Sequence, residues 1–299
     1  MHPQAGIFAL GTGEHCYLEL DVRPGATPER LIGTLAALSG PESEIDGVNL
    51  VVGVRPELWA AIAPDDAPPD VHSFRPVSGA QFTMPASQHD AWAWIAGETR
   101  SAVFDATVAA RGALGAAATV ASEETGWVYR HHRDLTGFID GTENPSPLEA
   151  PGVALRAEPP GEGASVLLVQ RWCHQPAFAR LAVGEQERVI GRTKADSIEL
   201  GEDRMPADSH VSRNVIEEDG RELRIYRRNT AYGSPEDHGT HFVGFCAEQR
   251  TLQIMLERMA GIPDGVRDAL TRYTTPLTGA YYVVPAATAL ARLIGLEGF

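Results

Sequence analysis

Cys16-Tyr-Leu-Glu-Leu-Asp-Val22 alternates apolar and polar side chains, the period of a half-buried strand. Just beyond it, Thr27-Pro28-Glu29 reads as a helix start, with the threonine hydroxyl as cap and proline at the first helical position. Leu31, Leu35 and Leu38 then share one helical face, and Gly40 ends the helix. Residues 48–54 and 90–95 read as a second and a third strand, 99–117 as an alanine-rich helix, and Trp127-Val-Tyr129 as part of a fourth strand. The resulting order, β-α-β-β-α-β, is that of the ferredoxin-like split unit. After a connector over 137–163 rich in Gly, Pro and Glu, similar elements return. Strands are predicted at 165–170, 224–228, 240–245 and 279–284. Short helices are predicted at 176–181 and 185–190, and an amphipathic helix at 248–259. The pattern predicts an α+β chain of two ferredoxin-like halves with antiparallel sheets, 1–136 and 164–299, joined by 137–163. No motif is shared between the halves, so the duplication is one of structure.

Composition narrows the function. The 299 residues are 43% hydrophobic and 22% charged, enough for a substantial core, and the formal net charge is −15. Such acidity argues against a nucleic-acid partner, which would meet a basic surface. Cys16, Cys173 and Cys246 form no CxxC pair and no disulfide framework, which points to a reducing cytoplasm. The amino terminus has no basic and apolar export signal, and no apolar run reaches membrane-spanning length.

Within the connector, Gly137-Phe-Ile-Asp-Gly-Thr-Glu-Asn-Pro145 places one carboxylate, Asp140, between two glycines. Asp-Gly and Asn-Pro are turn dipeptides, and the string alone reads as a surface turn. An acid in a pocket shielded by Phe138 and Ile139 is the sharper reading. His210, in Asp208-Ser-His-Val-Ser-Arg-Asn214, and the pair Arg227-Arg228, in Tyr226-Arg-Arg-Asn-Thr230, give that acid company. A haem peroxidase needs one imidazole on iron, an acid to move a proton between the peroxide oxygens, and a fixed cation to stabilise charge as the O–O bond breaks. His131 and His132 are adjacent, so a strand would turn them to opposite faces. His238 and His241 lack the spacing of a helical zinc site.

Gly137–Pro145, Ile190-Gly-Arg-Thr-Lys194, the segment around His210 and Ile225-Tyr-Arg-Arg-Asn229 resemble, in order, the signature of the dye-decolorizing peroxidases, and the chain is most similar to their bacterial B-type branch. The resemblance covers essentially the whole chain. It implies a dimeric α+β barrel type of fold, bound haem b, and reduction of hydrogen peroxide through a ferryl intermediate at the expense of dyes, phenolics or other one-electron donors. It implies His210 as the iron ligand, Asp140 as the distal acid–base, Arg227 as the distal arginine and Asn229 as the distal asparagine. Arg192 matches a haem-propionate contact, and Gly141 and Thr142 fall beside the cofactor. The resemblance picks Arg227 rather than Arg228; strand alternation lets only one of the two neighbours face the site and puts Asn229 on Arg227's face. Relatives of the B type can depend more on the arginine than on the acid. The family often places an acid behind the iron-binding histidine. Here Leu270-Thr-Arg-Tyr-Thr274 has Arg272 where that acid is sought, and Asp268 is the nearby carboxylate able to serve.

Two other readings stay open: a haem-handling protein that binds or delivers haem, and a metal hydrolase using His131, Asp140 and His238. Trp92, Trp94, Trp127, Trp172, Tyr226, Tyr232, Tyr281 and Tyr282 are candidates for electron hopping, though sheet packing explains most of them. The resemblance also implies a homo-oligomer. Some relatives are cargo of encapsulin shells through an added C-terminal tail. The chain ends at Leu293-Ile-Gly-Leu-Glu-Gly-Phe299, so packaging is not expected.

Overall fold

The computed structural model describes residues 2–40 and 47–295; residues 296–299, part of the tail on which the packaging expectation rests, lie outside it. In the first half, β1 (Glu14–Val22), β2 (Val48–Val54), β3 (Ala91–Gly97) and β4 (Ala118–Trp127) pair antiparallel in the order β4-β1-β3-β2. Helices α1 (Pro28–Leu38) and α2 (Arg100–Leu114) cover one face. Thr27 caps α1 by accepting from the Arg30 amide, and Thr99 caps α2 by accepting from the Ala102 amide. The second half holds β5 (Ser165–His174), α3 (Val183–Ile190), α4 (His210–Asn214), β6 (Thr230–Gly233), β7 (His238–Cys246), α5 (Gln249–Met259) and β8 (Ala280–Val284), with strand order β6-β7-β5-β8. Both orders are those of the split βαβ unit.

The two sheets do not stay separate. Ala231 pairs with Trp127 and Tyr232 with Gly126 at one seam, and Val283 pairs with Val54 at the other. Eight strands therefore close into a single barrel, with the short strands Tyr226–Arg227 and Thr274–Pro276 attached at its rim. Closure removes the open edges that two free sheets would expose. The predicted strand over 224–228 shrinks to Tyr226–Arg227, and the chain forms β6 instead, after a break at 228–229. The fourth strand ends at Trp127, before Tyr129. His131 and His132 lie in no strand: Arg130, His131 and His132 all have positive φ, forming a left-handed turn. The stretch 137–163 contains one short helix, Ala150–Ala154. No helix among the described residues is long and apolar enough to cross a membrane.

Strand alternation sorts the side chains into layers. Leu18, Leu20, Val52 and Ile95 pack outward under α1 and α2. Val166, Leu168 and Trp172 pack outward under α5. Tyr17, Trp92, Trp94, Tyr282 and Phe245 fill the barrel. Seven of the eight aromatic residues proposed for electron hopping, all but Trp127, are buried in this packing, with Trp92, Trp94, Tyr281 and Tyr282 at most 1% exposed. The barrel also encloses His15, which accepts a hydrogen bond from the Trp94 indole, and His241, which stacks on Tyr17 with ring centroids 3.8 Å apart. Burial, aided by the Arg228 charge, lowers the His15 pKa to about 4; burial, aided by Arg171 and His15, lowers that of His241 to about 3.

Two outcomes follow from this packing. A Cβ on Gly126 would stand 2.2 Å from Thr230 Oγ1, at the seam between β4 and β6. Gly126→Ala should therefore destabilise the protein by roughly 1–3 kcal/mol, read as a lower urea midpoint. The unfolded imidazoles titrate near 6.5, above their folded values, so the unfolded chain binds more protons as pH falls. Each should cost about 1.4 kcal/mol of stability per pH unit between about 6.5 and 4. The urea midpoint should accordingly drop less between pH 6.5 and 4.5 in His241→Phe than in the wild type.

Candidate active site

One cavity, set between the outer face of the second half-sheet and α3, α4 and α5, gathers most of the predicted site residues. Asp140, Gly141, Thr142, Arg192, His210, Arg227 and Asn229 all line it. Ile190, Val211, Phe242, Leu252, Met255 and Leu270 make the walls largely apolar. His131 and His238 do not line it. No group of three or more His, Cys, Asp or Glu able to hold a metal occurs among the described residues, so the hydrolase constellation does not assemble.

His210 opens α4, where Ser209 is the N-cap and accepts from the Ser212 amide. Asn214 donates to the His210 carbonyl at 2.8 Å. The imidazole Nδ1 stands 2.7 Å from Asp268 Oδ2, and Asp268 is 0% exposed. A carboxylate can only accept there, so Nδ1 carries a proton, and Nε2 is the ring nitrogen left to offer a lone pair to a metal. Nε2 has no hydrogen-bond partner among the described residues, and the side chain is 29% exposed. The carboxylate behind His210 is thus Asp268, the alternative to the position held by Arg272. Asp268 caps the turn Ala269–Arg272 by accepting from the Leu270 amide, which buries the carboxylate behind His210. Arg272 turns away and pairs with Asp208 at 3.0 Å.

The other wall is built by the glycine-flanked motif. Gly137 and Gly141 both have positive φ, which lets the chain turn on either side of Asp140. The Asp140 amide donates to the His132 carbonyl, and Asp140 Oδ1 accepts from the Gly141 amide at 2.7 Å. Arg227 NH2 lies 3.9 Å from Asp140 Oδ1, beyond hydrogen-bond range. The guanidinium makes no hydrogen bond among the described residues, and its Nε is buried without a partner. Arg228 points the other way, donating to the Ile7 carbonyl and Thr12 and lying over Trp94. Asn229 Oδ1 accepts from the Val243 amide at 3.1 Å, leaving its NH2 without a partner among the described residues. Arg192 is 9% exposed, donates to the Ser197 carbonyl, and pairs with Glu143 and Glu199.

Sequence reasoning passed over Asn144, the asparagine of the same motif. Its Nδ2 donates to the Arg227 carbonyl at 2.8 Å and its Oδ1 accepts from the Arg227 amide at 2.9 Å. This reciprocal pair clamps the Asp140 loop to the arginine strand. The signal was its place in the motif, where a turn explained it too easily.

The donor set fits haem. An imidazole whose Nε2 has no hydrogen bond faces an apolar cavity, a half-buried guanidinium without a hydrogen bond and a carboxylate share that cavity, and Arg192 already binds carboxylates at its edge.

Comparison with known proteins agrees. The Dyp-type peroxidase N-terminal model matches residues 6–128 and the C-terminal model residues 131–289. The dye-decolorizing peroxidase of Mycobacterium tuberculosis is 35% identical over 249 residues, covering 80% of this chain and 73% of that protein. DyPB from Rhodococcus jostii RHA1 superposes with a TM-score of 0.90 at 33% identity, covering 99% of this chain and 98% of that one. A variant of that protein solved in complex with heme superposes with a TM-score of 0.86 at 33% identity, covering 93% and 94%. Nothing in the site or its relatives favours a haem-handling protein. The chain belongs to the dye-decolorizing, Dyp-type peroxidase family and is a haem-dependent peroxidase.

Proposed function

We propose that His210 holds the haem iron through Nε2, while Asp140, Arg227 and Asn229 act on hydrogen peroxide from the facing wall. The observation that carries this reading is the pairing of two incomplete groups in one cavity: an imidazole tied by Asp268 on one nitrogen only, and a half-buried guanidinium with no hydrogen bond and a buried, unpartnered Nε. When bound, haem supplies the iron that exchanges electrons with peroxide and donor. His210, with its Nδ1 proton held by Asp268, presents an electron-rich Nε2. Arg192 holds a propionate in place of its present carboxylate partners. Asp140, as carboxylate, takes the proton from the near peroxide oxygen and returns it to the far one, which leaves as water. Arg227 orients the peroxide and stabilises negative charge as the O–O bond breaks. The free Asn229 NH2 donates a further hydrogen bond. The apolar walls keep bulk water out. Small dyes and phenolics fit as one-electron donors, and the unpaired thiols of Cys16, Cys173 and Cys246 suit a reducing cytoplasm.

His210→Ala should lose haem during purification and lack the histidine-ligated spectrum; an unchanged spectrum would remove His210 as ligand. Asp268→Asn should keep haem but raise its reduction potential in a spectroelectrochemical titration, because the amide weakens the push through Nδ1. Arg227→Leu and Asp140→Asn should each slow the peroxide-dependent spectral change in stopped-flow mixing, by roughly 10²-fold or more. Wild-type rates in both would dismiss the distal assignments.

A further inference from the structure

Three side chains in the cavity wall form a hydrogen-bonded chain that no step above uses. Thr240, on the outer face of β7, donates its hydroxyl to Asp134 Oδ2. The Thr240 hydroxyl oxygen stands 3.0 Å from His174 Nε2, at the end of β5. A threonine hydroxyl has one proton; with that proton given to Asp134, its lone pairs are left for the imidazole N–H. The chain therefore runs one way, from His174 through Thr240 to Asp134. Asp134 Oδ1 accepts from the Thr136 amide at 2.8 Å, which fixes the carboxylate. Burial alone would push the Asp134 carboxyl up, but the His174 charge 3.8 Å away and the Thr240 and Thr136 bonds hold it below the usual carboxylate range. The His238 ring approaches His174 edge-on at 6.2 Å. All three residues line the main cavity, and Asp134 and Thr240 also line a second cavity that reaches Asp140 and Arg227 from the side of His15 and Thr12.

The peroxidase reaction has a proton requirement that Asp140 does not meet. Reducing one H2O2 to two waters takes two electrons, one from each of two donor molecules, and two protons. Asp140 only moves a proton already on the peroxide. We infer that His174, Thr240 and Asp134 form a proton relay that delivers protons to the distal cavity. In each transfer His174, carrying protons on both ring nitrogens, loses the Nε2 proton to Thr240 Oγ1 and becomes a neutral imidazole, while the Thr240 O–H bond breaks as Asp134 Oδ2 takes the hydroxyl proton. Asp134, now neutral, passes its proton to the product oxygen in the cavity. His174 is recharged from solvent on the His238 side. Nothing is oxidised in the relay itself, and two transfers complete one turnover. The inference rests on the peroxidase reading of the site.

The test uses the haem-loaded enzyme with Thr240→Val, Thr240→Ser and His174→Gln. Valine removes the middle hydroxyl at nearly the same volume. Glutamine keeps an N–H for Thr240 but carries no mobile proton. Both should lower kcat at saturating donor by about tenfold or more and change the solvent deuterium isotope effect on kcat, with the second-order rate of the peroxide step within about twofold of wild type. Serine should restore kcat and the isotope effect. In the haem-free protein, nitrogen-15 NMR should show a hydrogen-bonded His174 Nε2 proton that Thr240→Val abolishes and Thr240→Ser retains. Wild-type turnover in His174→Gln would overturn the relay and leave the trio as a brace for the loop. Equal slowing of the peroxide step and kcat in Thr240→Val, or no hydrogen-bonded His174 proton, would do the same. Failure of the distal assignments themselves would show instead in the Asp140 and Arg227 variants.

Discussion

The antiparallel ladder between β5 and β7 is the constraint on which the site depends. It runs from Gly239 opposite Cys173 to Cys246 opposite Val166. Because side chains alternate, one set of backbone bonds defines two surfaces. His241, Val243 and Phe245 face the barrel with Leu167 and Val169, while Thr240 and Phe242 face the cavity with Leu168, Gln170 and Trp172. A slip of one residue would exchange the two sets, putting a stacked imidazole into the cavity and a relay hydroxyl into the barrel. The ladder is long, and it is anchored by residues that are buried on both faces. That suits a wall that must hold its register while a large planar cofactor packs against it.

Around that wall, polar groups from distant parts of the chain are fixed by pairing. Asp268 is a fully buried carboxylate, a costly group unless its oxygens are satisfied. One oxygen accepts from the Leu270 amide and the other from His210. The same bond that satisfies the carboxylate puts a proton on Nδ1, so stability of the turn and readiness of the proposed iron ligand are one interaction. On the facing side Asn144 performs the corresponding task for Arg227 through the backbone, leaving the guanidinium free.

Local features of the fold were legible because their causes are local. The caps at Thr27 and Thr99, the alternation in β1 and the amphipathic α5 are each written within a few residues. The resemblance supplied the site residues, and the structure brings Asp140, Arg192, His210, Arg227 and Asn229 to one cavity. What stayed hidden depends on long-range pairing. The seams that close the barrel join Val54 to Val283 and Gly126 to Tyr232, and no periodicity specifies such partners. Asp268 was already a candidate for the acid behind His210, but it lies 58 residues away, and only the short turn after it decides that Asp268, not Arg272, looks inward. β6 was masked by the turn-forming residues around it, and the left-handed turn at 130–132 by its lack of glycine.

Asp134 and Asp140 illustrate why residue type alone assigns no role. They lie six positions apart on one loop and line the same two cavities. Asp134 has both oxygens engaged, by the Thr136 amide and the Thr240 hydroxyl, with an imidazole behind. Asp140 binds only the adjacent Gly141 amide through Oδ1, and its Oδ2 has no partner among the described residues. A carboxylate so fixed can store or pass a proton along a defined line. One with a free oxygen, beside a guanidinium 3.9 Å away that makes no hydrogen bond, can instead meet a small ligand directly. On the proposed mechanism the surroundings divide the acid–base work between two chemically identical groups, so that a single loop serves both proton supply and O–O cleavage.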